Sequence, residues 1–185
     1  MEKTSRYGIK RYFLLTIVLS FLGWLFETTF VFMRSGRIYD RGFLTSPLCP
    51  IYGVTLMATY FLLGTPNAPK GVLSRVNAKG ARYVLYFMAA FILPSLAELC
   101  IGELFTRSFG VSLWSYEGVP MNIHGYVCLP VSLAWAGLIF LFMNCFFIRL
   151  KNFVQKIPEI PSWIVSGIIV LLIAFDLYLN VKALL

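Results

Sequence analysis

Charge is what this sequence has least of. Only 13% of its 185 residues are Asp, Glu, Lys or Arg, about half the share found in soluble domains. Acids are the scarcer sign, eight against sixteen bases. That poverty excludes a water-soluble globule, and a hydrophobic content of 59% with a mean hydropathy of +0.79 excludes a disordered chain. Histidine occurs once, at His124, so no second imidazole is available to build a dinuclear or tetrahedral metal centre. The four cysteines, Cys49, Cys100, Cys128 and Cys145, show no CxxC or other ligand spacing and read as small buried hydrophobes. Neither an HExxH helix nor a nucleophile elbow is present. No metal and no cofactor are therefore expected. The basic excess, a formal +8, fits loops facing anionic lipid better than nucleic acid, which is not expected as a partner.

What the chain does have is long apolar runs. A spanning helix takes about 20 residues, so 185 residues leave room for five or six spans and none for a soluble catalytic or nucleotide-binding domain. Five are expected, at about 12–33, 47–64, 82–104, 127–148 and 163–181, the second one short. GTPNAPKG, Gly64 to Gly71, is a helix stop and turn. The first run is followed by further spans and lacks a small-residue cleavage pattern, so it reads as a retained helix. Between spans three and four, residues 107–130 mix polar and aromatic side chains with Gly110, Gly118, Pro120, Gly125 and Pro130. Such a stretch is either an external loop or a re-entrant piece, tolerated at membrane depth when packed in protein or lining a cavity. The expected fold class is an all-α, polytopic helical bundle forming a single transmembrane domain.

Basic residues set the expected orientation. Lys3, Arg6, Lys10, Arg11, Lys70, Arg75, Lys79, Arg82, Arg149, Lys151 and Lys156 fall on one side of a five-span arrangement; Arg34, Arg37, Arg41, Arg107 and Lys182 fall on the other. The heavier side is cytoplasmic, which places the N-terminus inside and the C-terminus outside in a multi-pass plasma-membrane protein. Glu27, Glu98, Glu103 and Asp176 then all lie late in outward-running spans, level with Cys49, Tyr52, Asn122 and His124 at the start of inward-running ones. An acid at the centre of a spanning helix costs at least about 2.5 kcal/mol on insertion scales. Four at one depth point to a shared purpose in the outer third of the bilayer. Arg34 is two helical turns beyond Glu27, and Arg37 and Arg41 follow in the loop, so Glu27 is expected to be paired.

Simpler roles compete at several positions. Glu103 and Arg107, four apart, have the spacing of a solvated interface pair. Asp176 reads equally as a snorkelling interfacial acid and a functional one. Trp24, Trp114 and Trp163 fit an interfacial aromatic belt. Glu27 and Glu98 stand apart because each interrupts an apolar run. The chain also carries an internal echo: Glu27, Arg41-Gly42-Phe43 and Cys49-Pro50 in the first half, Glu98, His124-Gly125-Tyr126 and Cys128-Leu129-Pro130 in the second. Parallel duplications place sites at repeat interfaces.

The stretches GWLFET (23–28), RGFLTSPLCPIYG (41–53), Glu98 and WSYEGVPMNIHGYVCLP (114–130) resemble the ABC-transporter permease family of the CmpB type, small bacterial integral membrane proteins. The resemblance implies transport. An energised permease must pass ATP hydrolysis through a substantial cytoplasmic element, and the loops near Thr65–Ala81 and Lys151–Pro161 are short. The expectation is therefore a substrate-capturing subunit of a transporter complex, or a small homo-oligomeric carrier. Its outward-facing charged site for a small polar or charged solute would draw on Glu27, Arg37, Arg41, Glu98, Trp114, Asn122 and His124. The competing expectation is a membrane-embedded enzyme acting on a lipid or lipid-linked phosphate, with arginines as the clamp and Glu98 or His124 as general base. Membrane lipid is a partner in either case.

Overall fold

The structure is a computed structural model and describes residues 8–37 and 43–184. Among the described residues it is all-α apart from one hairpin of two-residue strands and an isolated bridge between Gly64 and Pro69. The helices are α1 (Gly8–Ser35), α2 (Pro50–Leu63), α3 (Lys79–Phe109), α4 (Leu129–Cys145), α5 (Phe147–Gln155) and α6 (Glu159–Leu184); the strands β1 (Asn122–Ile123) and β2 (Val127–Cys128) pair antiparallel. A 3-10 turn covers Gly71–Arg75. The chain divides into two compact units, 1–54 with 151–185, and 55–150, with α2 beginning in the first and continuing into the second.

Among the described residues, three helices are long and apolar enough to cross a membrane, over Arg11–Met33, Lys79–Phe109 and Trp163–Ala183. α4 and α5 pass the same test taken together, although the chain bends by 53° between them. Three spans, or four with the bent pair, thus stand where the sequence suggested five. The difference lies mainly in the expected second span. Pro50 opens α2 and Gly64, at φ +75°, follows its last residue, leaving 14 helical residues. At 1.5 Å per residue these reach about 21 Å, short of a hydrocarbon core about 30 Å thick. Residues 107–130, expected as loop or re-entrant piece, hold the end of α3, an irregular loop and the hairpin.

In the first unit α1 packs on α6. Leu15 and Leu19, one turn apart, are buried on one face of α1. The start of α2 meets α1 closely. A Cβ at Gly53 would collide with Ser20 Oγ and the Thr16 carbonyl, and one at Gly23 would lie 2.6 Å from Tyr52 Cβ. Backbone joins them as well, Cys49 N–H donating to the Ser20 carbonyl at 3.1 Å.

In the second unit α3 packs on α4. The α4 stripe is Ser132, Ala136, Ile139 and Met143, and α3 supplies Tyr86 and Ala90, spacings that keep one helix face inward. Pro94 is absorbed within α3 without ending it. The α2–α3 connection is tied down by polar contacts: Tyr86 O–H donates to the Gly64 carbonyl, and Asn67 accepts from Tyr83 O–H at 2.7 Å while donating to Asn144 Oδ1 at 2.8 Å.

Candidate functional site

Glu27 lies one turn beyond Gly23 on α1, and residues four apart share a helix face. The absent side chain at Gly23 leaves room for the ring of Tyr52. From that seat the Tyr52 hydroxyl donates to Glu27 Oε2 at 3.1 Å, and Cys49 Sγ stands 3.9 Å from the same oxygen. Glu27 is half-buried and Cys49 buried. A carboxylate placed in an apolar run is therefore met by a phenol and a thiol, both carried by the segment entering α2. None of the four cysteines is in a disulfide.

The second contact of the first unit was not legible as a contact in the sequence. Asp176 of α6 accepts the backbone N–H of Ser46 at 2.7 Å and that of Thr45 at 3.2 Å. Asn180, one turn along, donates to Asp176 Oδ1 at 2.8 Å and to Thr45 Oγ1 at 3.2 Å. The available signal was the pair itself, an acid and an amide four apart on an otherwise apolar helix. Arg37 is exposed just past the left-handed Gly36 that follows α1. Arg41, and the Arg34 side chain expected to pair with Glu27, lie outside the described residues.

In the second unit Glu98 is half-buried on α3, one turn before Gly102. Gly102 repeats the arrangement of Gly23, since a Cβ there would lie 2.7 Å from the ring of Tyr126. Trp114 and Asn122 brace the loop leading to α4. The indole N–H of Trp114 donates to the Tyr126 carbonyl at 2.8 Å, while Asn122 donates to the Val119 carbonyl and accepts from the Gly125 N–H. His124 is exposed at the hairpin turn with φ +52°, followed by Gly125 at +72°; both central residues being left-handed is the geometry a tight hairpin prefers. Glu103 and Arg107 form a 2.6 Å surface pair, the arginine side chain 78% exposed, a contact worth little in solvent.

Among the sequence-predicted residues, then, Trp114, Asn122 and His124 share one loop of the second unit, Glu98 sits on that unit's α3, and Glu27 belongs to the first unit with Cys49 and Tyr52 about it. No group of three His, Cys, Asp or Glu side chains among the described residues could hold a metal. The enzyme reading gains no support, its histidine being an exposed turn residue.

Residues 14–181 match the family described as "Putative ABC-transporter type IV", CmpB. The chain belongs to the CmpB family. No curated protein and no solved structure matches it. The family and the apolar helices make it a membrane protein of the transport class. The stretches that carry the CmpB resemblance acquire a physical sense here: GWLFET supplies the seat and the acid, and CPIYG supplies the thiol, the phenol and the glycine that lets α2 approach α1.

Proposed function

We propose that this CmpB-family chain is the solute-capturing membrane component of a transport system, and that Glu27 is its charged contact with the solute. The observation that carries this reading is the meeting of the two family stretches at one half-buried carboxylate, with Tyr52 and Cys49 upon it. An acid inside a spanning helix is costly and marks solute or ion pathways. The basic residues Lys3, Arg6, Lys10 and Arg11 put the start of α1 in the cytoplasm. Glu27, sixteen residues beyond Arg11, then lies about 24 Å along the helix, toward the outer face. Arg37 and Arg41 follow on that side and supply the opposite charge, so that a zwitterion or a carboxylate-bearing solute finds both signs within one short stretch. Glu98 is the half-buried acid of the second unit.

The test is a thermal-unfolding screen of the chain in lipid nanodiscs against amino acids, metal cations and vitamins. A solute bound at a hundred times its Kd stabilises by about 2.7 kcal/mol, a clear upward shift. At least one class is expected to raise the midpoint in the native chain and to lose the effect in Glu27→Gln. A screen in which no solute shifts the midpoint, or in which Glu27→Gln responds as the native chain does, overturns the assignment.

A further inference from the structure

The segment Phe43–Cys49 leads into α2 without being helical and is pinned at two places in the first unit. At its end, Cys49 N–H donates to the Ser20 carbonyl of α1 at 3.1 Å, and Cys49 and Tyr52 reach Glu27. In its middle, the consecutive amides of Thr45 and Ser46 both donate to Asp176 of α6, with Asn180 bridging acid and Thr45 hydroxyl. Hydrogen bonds to an ionised carboxylate are roughly twice as strong as neutral ones. An acid retained late in an apolar helix asks for such a role, and this carboxylate satisfies two main-chain donors that lie outside the helices.

We propose that Asp176 is a positioning residue, a latch that holds the Phe43–Cys49 segment on α6 and thereby controls access to Glu27. Release of the latch frees the middle of the segment and loosens Cys49, three residues beyond Ser46, from its place against Glu27. The functional sense of this motion rests on Glu27 being the solute contact; the latch itself does not.

Thiol labelling tests it directly. The full chain, carrying Cys100→Ala and Cys145→Ala to remove the exposed thiols, is reconstituted in lipid nanodiscs and treated with a maleimide, and modification of Cys49 and Cys128 is followed by peptide mass spectrometry. Both thiols are buried, Cys49 in the first unit and Cys128 in the second. In Asp176→Ala, Cys49 is expected to label about tenfold faster, the scale of losing hydrogen bonds to a charged group, with Cys128 unchanged. Asp176→Glu, which keeps the carboxylate, restores slow labelling. Unchanged Cys49 labelling, or an equal rise at Cys128, overturns the latch, the latter because it reports general loosening. Should Asp176→Ala fail to fold, Asn180→Ala serves instead: a selective rise at Cys49 supports the latch and no rise overturns it. A solute screen without hits would remove the functional sense and leave the labelling result standing, so the two failures are distinguishable.

Discussion

At Gly23 a single missing methyl group decides where Glu27 finds its partner. Gly23→Ala would place a Cβ 2.6 Å from Tyr52 Cβ, and because both atoms lie close to backbone, relief requires moving α2 and not merely rotating a side chain. Overpacking of this kind costs roughly 1–3 kcal/mol, so a lowered thermal midpoint is expected, together with loss of any solute-dependent shift. Tyr52→Phe keeps the ring in its seat and deletes the donor to Glu27; about 1 kcal/mol is expected, and a midpoint indistinguishable from native would show the contact to be idle. Glu27 was visible in the sequence as an acid within an apolar run. Tyr52 was not visible as its partner, since tyrosines near span ends are ordinary in membranes. Asp176 was ambiguous for a different reason: its partners are backbone amides 130 and 131 residues away, and main-chain donors leave no mark on a sequence.

One helix end was legible in the sequence and others were not. Gly64 stands at the boundary the spacing suggested, whereas α2 opens at Pro50, three residues after the expected start at 47, and α3 runs on to Phe109 before Gly110, five residues past the expected end at 104. The break between α4 and α5 falls at Phe146, with neither proline nor glycine nearby, and a span drawn through to residue 148 had no composition signal to stop it. The shortness of α2 was half seen: the run 47–64 looked brief, but its first residues proved to belong to the non-helical approach that lets Cys49 bond to α1. The loop before α4 was unresolved between two descriptions because a hairpin of two-residue strands is too short to produce an alternating pattern. Its bracing yields a prediction at this scale. Asn122→Ala removes both the donor to Val119 and the acceptor for the Gly125 amide, so hydrogen exchange at Gly125 should accelerate about tenfold while α3 exchanges as before; unaltered exchange would assign the loop's order to Trp114 alone.

Across the whole molecule, the all-α membrane class and the family followed from composition and a few stretches of sequence, because scarcity of charge and length of apolar runs are global properties that local detail cannot undo. The number of crossings did not follow as securely, since it depends on whether α2 and the bent α4–α5 pair are counted. A likeness that the echo between halves did not include is a helix glycine beneath a tyrosine in each unit, Gly23 under Tyr52 and Gly102 under Tyr126. Glu27 lies one turn after the first glycine and Glu98 one turn before the second, so the two acids are not equivalent copies. Glu27→Gln and Glu98→Gln should accordingly differ in solute-dependent stabilisation, with the first abolishing it and the second leaving it in place; identical profiles for the two variants would favour true duplication of the site.

The grip of Asp176 on Thr45 and Ser46 is a grip on peptide groups, and every amino acid but proline offers the same N–H. A saturation library across positions 45, 46 and 176 should therefore show a lopsided pattern of survival after selection for folded protein. Positions 45 and 46 would accept most replacements while refusing proline, whereas 176 would favour glutamate over every other replacement. Positions whose side chains are free to change along this connection can thus form part of a tightly specified joint.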